Sequence, residues 1–334
     1  IYVAVATNDG FLRMIRNTRT GGAQSGEEVW AFMPRAAMDA QRVLRANGTG
    51  MRHPYTIDGA PVAFIQDRNQ DGSIVASDGD RVYLYVGMRR GGKNYYALDV
   101  TNPESPRLMW TIEKGGDFAE IGYTFSNPRV GLVNSPDGPL PVVMFAGGYD
   151  LNKDTRGVVG SDDSEGNAIF VVNAETGELV WKAVRGSGSG GPRLFEHPRL
   201  TDSIPSTLAV GDTDGDGLTD RLVVGDTGGN VWRADLQGPD TADWKLTLLA
   251  SLGRHAAGHA GHGEHRVHAR VRIVEDGLAL GQEGVAALDR VGVDVDVPQP
   301  GPEPGLLGNA FRHLHGQRAG DEYRGCQEQK PKVE

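Results

Sequence analysis

The sequence predicts an all-β fold, a modified β-propeller with inserted loops and a short helical insertion. Three observations predict it. The 48 glycines and 18 prolines interrupt the chain too often for long helices. Short apolar runs alternate with polar residues, and one strand-turn-strand pattern occurs four times. The length of 334 residues suits one large β domain or two smaller ones, so it leaves the domain number open.

The repeated pattern consists of an apolar strand, a glycine turn, a second strand that ends near Asp or Asn, and a turn that leads to tryptophan. Alternation places one face of each strand inward, and glycine supplies the positive φ of tight hairpins. Each copy therefore predicts a β-meander. The predicted strand pairs are Tyr2–Val5 with Phe11–Ile15, Val82–Val86 with Tyr95–Asp99, Val142–Ala146 with Ile169–Asn173, and Leu222–Gly225 with Gly229–Asp235.

Tryptophans mark the end of each copy. Trp30, Trp110, Trp181 and Trp244 are separated by 80, 71 and 63 residues. This spacing exceeds the ~40–50 residues of a compact propeller blade, so the blades carry insertions. Their repeated position explains the tryptophans as packing residues between blades, and we assign them no chemistry.

Further elements are predicted between the copies. Proline fits the first residue of a strand, which predicts additional strands at Asp58–Val62, Ser126–Val130 and Ile204–Leu208. Helix-forming residues from Ala36 to Ala46 predict the short helix, within an insertion.

Composition narrows the classes of partner. The formal net charge of −10 argues against a nucleic-acid partner and favours cations as ligands. No apolar run reaches the roughly 18 residues of a membrane span, and no signal-peptide pattern is present. Since the chain opens at Ile1 on a strand-like run, it resembles a fragment of a longer exported protein. The single cysteine, Cys326, cannot form a disulfide within the chain.

The sequence changes character at residue 255. Only Phe311 and Tyr323 of the 23 aromatic residues lie beyond it, together with seven of the nine histidines. We therefore predict a propeller-like domain over 1–254 and an atypical tail over 255–334, either disordered or non-native, as from a gene read out of frame. Histidine-rich tracts can bind transition metals, but the intervening glycines favour non-specific affinity for His255, His259, His262, His265 and His268.

The nine-residue loop from Asp212 to Asp220 has the ligand spacing of a calcium site. Carboxylates occupy loop positions 1, 3, 5 and 9, and the glycine at position 6 allows the sharp turn that brings the carbonyl of position 7 toward the same centre. Hard oxygen ligands in an irregular cage suit Ca²⁺ better than Mg²⁺. A solvated acidic turn is the alternative. The predicted ligands are Asp212, Asp214, Asp216, the carbonyl of Leu218, and Asp220.

A second loop repeats the spacing at positions 1, 3, 5 and 6, with Asp67, Asn69, Asp71 and Gly72, and Asp78 at position 12. Since position 9 is valine and a neighbouring arginine adds positive charge, an ordinary polar hairpin turn is favoured there. The acidic stretch Asp162–Glu165 has no ligand spacing, so we expect a solvated loop.

The order of these elements resembles the C-terminal domain of the PilY family, the tip-associated adhesins and biogenesis factors of type IV pili. The resemblance spans residues 1 to about 254. It rests on the calcium loop together with Tyr55–Pro61, Tyr95–Pro103, Gly122–Pro128, Gly225–Asp226 and Gly229–Trp232.

The resemblance implies a modified β-propeller at the pilus tip or the outer cell surface, which needs calcium for pilus extension and twitching motility. Its implied partners are pilins or minor pilins, with host or abiotic surfaces as a further class. An Arg-Gly-Asp integrin motif of some relatives has no counterpart, because Gly225–Asn230 occupies that region. The family's final strands also lack a counterpart after about Arg254, so blade number and ring closure stay open.

Two other functions compete with this non-enzymatic one. Quinoprotein dehydrogenases also combine tryptophan-marked propeller repeats with calcium. They resemble one another, however, in a disulfide between neighbouring cysteines, and this chain has a single cysteine and cannot form one. A generic calcium-stabilised surface-binding propeller without a pilus connection is the third possibility.

Overall fold

The computed structural model describes residues 1–20, 23–155, 162–188, 190–252, 271–273 and 293–295. The chain divides into two compact units, Ile1–Asp296 and Val297–Glu334, and every described residue belongs to the first. Most of the predicted tail lies outside the described residues, as do its histidines and Cys326. The boundary at residue 254 therefore stays a prediction.

Four sheets follow one another along residues 1–252, and strands adjacent in sequence are adjacent within each sheet. Sheet 1 contains β1 (Tyr2–Ala6), β2 (Leu12–Arg16) and β5 (Glu28–Phe32), with the small pair β3 (Arg19–Thr20) and β4 (Ala23–Gln24) in the connection. Sheet 2 contains β6 (Val62–Gln66), β7 (Arg81–Gly87), β8 (Tyr95–Asp99) and β9 (Arg107–Ile112). Sheet 3 contains β10 (Arg129–Val133), β11 (Leu140–Ala146), β12 (Ala168–Asn173), β13 (Leu179–Val184) and the parallel β14 (Leu194–Glu196).

Sheet 4 contains β15 (Ala209–Gly211), β16 (Arg221–Gly225), β17 (Asn230–Asp235) and β18 (Lys245–Ser251). A separate antiparallel pair consists of β19 (Val271–Ile273) and β20 (Val293–Val295). The α-helix is α1 (Met38–Ala46), and short 3-10 turns span Arg35–Ala37, Ala76–Asp78, Gly116–Phe118, Leu151–Asp154 and Thr241–Asp243.

The predicted meanders and helix are confirmed, and one predicted strand is displaced. β6 and β10 each begin directly after their proline, but the third begins only at Ala209. The predicted Ile204–Leu208 strand is wrong because the backbone of Ile204 bonds to neighbouring turns, donating to the Gly166 carbonyl (2.9 Å) and accepting from the Gly148 amide (3.1 Å).

Three apolar cores lie between successive sheets. In β11, Val142, Met144 and Ala146 belong to the core shared with sheet 4, while Val143 and Phe145 belong to the core shared with sheet 2. Successive side chains of a strand point to opposite faces, so a strand buried on both faces is apolar throughout. This arrangement of stacked antiparallel sheets is the one expected of propeller blades.

The four tryptophans pack into the cores between successive sheets, which confirms their predicted packing role. The Trp30 indole N–H donates to the Pro103 carbonyl in the β8–β9 turn (2.8 Å), and that of Trp110 donates to the Ala174 carbonyl in the β12–β13 turn (3.0 Å). A β-bulge also recurs on the last meander strand of each sheet, opposite Met14/Ile15, Ala97/Leu98, Val171/Val172 and Val231/Trp232. The sequence analysis did not predict the bulges.

Candidate metal centre

The predicted calcium loop is the hairpin that joins β15 to β16. The base of the hairpin is hydrogen-bonded to both sheet 3 and sheet 4. On the sheet 3 side, the Thr219 amide donates to the Leu132 carbonyl (2.6 Å). The Asp220 amide donates to the Gly211 carbonyl (3.0 Å), and the Asp220 carbonyl accepts from the Leu236 amide (2.7 Å). The loop is therefore held at one rim of sheets 3 and 4.

Two glycines produce the sharp turns of the loop. Gly215 has φ +81° and Gly217 has φ +86°, a region that residues with a Cβ rarely adopt. The resulting turns direct backbone amides at the first carboxylate, so Asp212 accepts from Gly215 (2.7 Å) and from Gly217 (2.8 Å). Asp214 accepts from the amide of Asp216 (3.3 Å). The glycine predicted at position 6 thus has the conformation that its role requires.

Three of the predicted carboxylates converge. Asp212, Asp214 and Asp216 each place an oxygen within 4.8 Å of the others, and the last two are exposed. Among the described residues no lysine or arginine lies within ion-pair distance of them, and the arginines of β16 and β17 pair with Asp235. The loop therefore concentrates negative charge without a cation from the described chain.

The pKa values of the first two carboxyls move in opposite directions. Desolvation opposes ionisation of Asp212, but the hydrogen bonds from Gly217 and Gly215 outweigh it and lower its pKa. The amide of Asp216 also favours the ionised form of Asp214, yet desolvation and repulsion by neighbouring carboxylates raise the Asp214 pKa overall. A bound cation would remove this repulsion.

The other two predicted ligands lie beside this cluster. Asp220 is buried, and its carboxylate accepts hydrogen bonds from the amide (3.1 Å) and the hydroxyl of Thr213. A cleft of about 150 Å³ is nevertheless lined by Asp214, Asp216, Leu218 and Asp220 together. The structure therefore brings three predicted ligands into one cluster and places the remaining two along the same cleft.

The second predicted loop occupies the equivalent hairpin of sheet 2, between β6 and β7, and has similar turns. Asp67 accepts from the Gly72 amide (2.8 Å), Asn69 from the Asp71 amide (3.2 Å), and Asp71 from the Ser73 amide (2.7 Å). The Asn69 side-chain amide donates to Asp71 (3.1 Å) and to Asp78 (3.4 Å). Among the residues that the structure describes, however, only the Asp212 loop brings three Asp, Glu, His or Cys side chains within 4.8 Å of one another.

The acidic stretch Asp162–Glu165 contains buried carboxylates, which corrects the solvated loop expected from the sequence. The Asp163 side chain is fully buried and lies 3.1 Å from Lys153. Glu165 is 7% exposed and pairs with Lys93 (2.7 Å) and Lys114 (2.5 Å). Each carboxylate is compensated by lysines that lie outside the stretch, a relation that its spacing does not indicate.

Asp226 lies in the hairpin between β16 and β17, in the segment Gly225–Asn230, and its contacts are internal. One carboxylate oxygen accepts from the amides of Gly228 (2.9 Å) and Asn230 (2.8 Å), and the other accepts from the Trp232 indole (2.7 Å). Burial raises its pKa, against the opposing effect of these donors. The residue thus stabilises the β16–β17 hairpin.

Comparison with protein-family models shows a match over residues 1–247 to the family described as the PilY1 β-propeller domain. The chain belongs to this family. The match covers all four sheets of the PilY1-type domain except the end of β18.

Individual relatives carry a name that refers to pilus assembly. The chain is 30% identical over 235 residues to the type IV pilus biogenesis factor PilY1 of Pseudomonas aeruginosa. This alignment covers 70% of this chain and 17% of the relative. It is 29% identical over 256 residues to a PilY1 homologue of Xylella fastidiosa, covering 75% of this chain and 15% of the homologue. The chain therefore spans less than a fifth of the length of these relatives.

Among solved structures, the C-terminal domain of Pseudomonas aeruginosa PilY1 is similar at 26% identity and a TM-score of 0.45, with 70% of this chain and 38% of that chain covered. Among the described residues, no helix has the length and apolar character needed to cross a membrane.

Proposed function

We propose that the Asp212–Asp220 loop binds Ca²⁺ as part of a non-enzymatic PilY1-type domain. The observation that carries the proposal is the convergence of Asp212, Asp214 and Asp216 within 4.8 Å without a basic partner among the described residues. Carboxylate oxygens are the hard ligands that Ca²⁺ takes in irregular geometry. Asp214 and Asp216 each accept a backbone hydrogen bond on Oδ1, which leaves Oδ2 for a cation.

The remaining proposed ligands are the carbonyl of Leu218 and the carboxylate of Asp220, since both residues line the cleft beside the cluster. Calcium bound there would neutralise the repulsion between the carboxylates and cross-link the loop. Because the loop is bonded to sheet 3 through Thr219 and to sheet 4 through Asp220, the ion would also stabilise the rim where these sheets meet.

The biological role that we propose follows from the family. The relatives are named type IV pilus biogenesis factors. We propose that this domain belongs to such a factor or tip adhesin on the outer cell surface, and that it supports pilus extension, twitching motility and surface attachment. Its partners would be pilins or minor pilins.

Non-enzymatic function is part of the proposal. The relatives are named as biogenesis factors rather than enzymes, and the single cysteine cannot form the neighbouring-cysteine disulfide of quinoprotein dehydrogenases. Reconstitution with pyrroloquinoline quinone and calcium should leave alcohols and sugars unoxidised. Turnover of an artificial electron acceptor above background would assign catalysis instead.

The calcium site is tested by titration calorimetry on the wild type and on Asp216→Ala. Asp216 is the better choice because it is exposed, whereas Asp220 also holds the base of the loop. Asp137→Ala is the matched control, since Asp137 is an exposed aspartate in the neighbouring β10–β11 hairpin. We expect weaker calcium binding in Asp216→Ala and unchanged binding in the control.

Thermal and denaturant unfolding give a second readout. A ligand that binds only the folded state stabilises it by RT ln(1 + [Ca²⁺]/Kd), about 2.7 kcal/mol at a hundredfold excess over Kd. The Asp216→Ala protein should lose most of this gain. Equal calcium affinity in the two proteins would eliminate the site, and lost affinity with normal twitching motility would restrict calcium to a structural role.

A further inference from the structure

The connection between sheets 1 and 2 concentrates positive charge in an acidic chain. Residues 35–53, the arginine segment, contain four arginines, no lysine and a single acidic residue, Asp39. The arginines are Arg35, Arg42, Arg45 and Arg52. The segment therefore has a formal charge of +3, and because the whole chain has −10, the remaining residues together carry −13.

The four arginines are exposed and have no partner within the described part of the chain. Elsewhere arginines form ion pairs, as Arg13 does with Asp9 (2.6 Å) and Arg107 with Asp99 (3.1 Å). The side chains of the four arginines, by contrast, form neither an ion pair nor a hydrogen bond with any described residue. Their charge is thus available to an anionic surface outside the domain.

One face of α1 attaches the arginine segment to the domain. It consists of Ala37, Gln41 and Leu44, whose spacing of four and three residues places them on one side of a helix. Ala37 is 1% exposed and belongs to the core between sheets 1 and 2, and the Gln41 side chain donates to the Asp9 carbonyl (2.6 Å). These contacts fix which side of the helix faces solvent.

The outward face of α1 combines arginine with exposed methionine. Met38, Arg42 and Arg45 have the same spacing of four and three residues, and all three are exposed. Met38 is 53% exposed, and Met51, which follows the helix, is 51% exposed. A basic helix with apolar side chains on its solvent side is typical of segments that lie in the plane of a membrane interface.

We propose that the outward face of α1 docks on a bilayer surface that carries anionic phospholipid headgroups. Arginine binds phosphate oxygens through two N–H groups at once. The acyl carbon beneath the phosphates would bury the methionine side chains, whereas an acidic protein surface offers carboxylates alone. Since the other residues carry −13, an anionic bilayer repels them and admits the domain only by this face.

The test is binding of the full chain to lipid vesicles in the presence of a calcium chelator, which excludes calcium bridges to the Asp212–Asp220 loop. Vesicles of equal parts phosphatidylglycerol and phosphatidylcholine should bind the protein, and vesicles of phosphatidylcholine alone should not. Binding should weaken as salt rises from about 0.1 M to about 1 M, because the screening length falls from about 10 Å to about 3 Å. Absence of binding to the phosphatidylglycerol vesicles would overturn the proposal, and failure of the calcium site would leave this result unchanged.

A matched pair of double variants locates the contact. Arg42→Gln/Arg45→Gln removes two charges from the outward face and keeps good helix formers there. Each arginine near an anionic surface contributes about fivefold in affinity, so we expect about thirtyfold weaker binding. Arg68→Gln/Arg199→Gln is the control, since both arginines are exposed, lie outside the arginine segment and form no ion pair with a described residue. Equal losses in the two proteins would overturn the proposal, because net charge alone would then explain the binding.

Two further measurements separate a bilayer from an acidic protein. Met38→Gln leaves the charge unchanged and should weaken vesicle binding about fivefold, because it removes apolar atoms from the contact. Unchanged affinity in this variant would contradict burial of the helix in the headgroup layer. Arginine-dependent binding to poly-L-glutamate without binding to the vesicles would assign the face to an acidic protein and overturn the proposal. The lipid and salt comparisons on the wild type decide the question should a variant fail to fold.

Discussion

Substitution of Gly177 by alanine tests how closely successive sheets pack. Gly177 lies in the turn between β12 and β13 with φ +72°, and a Cβ there would lie 2.8 Å from Cγ and Cδ2 of the Trp110 indole. The indole cannot retreat easily, because it is 8% exposed and donates to the Ala174 carbonyl at 3.0 Å. Gly238 is the matched control, since it has φ +81° in the corresponding turn of sheet 4 and no atom within 4 Å of its Cβ position.

The expected magnitude is the sum of a backbone and a packing contribution. The left-handed conformation costs an L-residue about 1–2 kcal/mol, and both variants incur this cost. Overpacking against a fixed side chain adds about 1–3 kcal/mol in Gly177→Ala alone. We therefore expect Gly177→Ala to lower the free energy of unfolding by about 2–5 kcal/mol and Gly238→Ala by about 1–2 kcal/mol.

Urea denaturation of the two variants and the wild type measures this difference, with the m-value as a check that the compactness of the unfolded state is unchanged. Equal losses in Gly177→Ala and Gly238→Ala would refute the reasoning, because they would show that contact with Trp110 contributes nothing to the cost.

Three further predictions concern other parts of the chain. Lys153→Met should lower the free energy of unfolding by about 3–5 kcal/mol, because it leaves the buried carboxylates of Asp163 and Asp202 without their lysine. Urea denaturation measures this loss, and a loss below about 1 kcal/mol would contradict the prediction. Asp9→Asn should destabilise the protein by up to about 1 kcal/mol at neutral pH, since the ion pair is partly exposed. A hydrogen bond from an arginine of β2 outweighs desolvation and lowers the Asp9 pKa from 3.8 to about 2. The stability that the ionised Asp9 contributes is therefore present above pH 3.8 and is lost as the pH falls toward 2. The denaturation curves of variant and wild type should converge there. Limited proteolysis should leave a resistant fragment that ends near residue 254, and a core that retains the tail would contradict the predicted boundary.

The sequence alone predicted the features that depend on local periodicity and spacing. Alternation located the meander strands, because successive side chains of a strand face opposite sides whatever the rest of the chain does. Spacing located the Asp212–Asp220 loop, because alternate residues of a tight turn direct their carboxylates to one side. The left-handed conformation of Gly217 follows from the same local requirement.

The tertiary structure decided the features that depend on residues distant in sequence. Asp163 and Glu165 looked like members of a solvated acidic loop, and only the fold brings lysines from other segments to compensate their buried charges. Asp220 had the spacing of a ligand, and only the folded hairpin directs its carboxylate to Thr213.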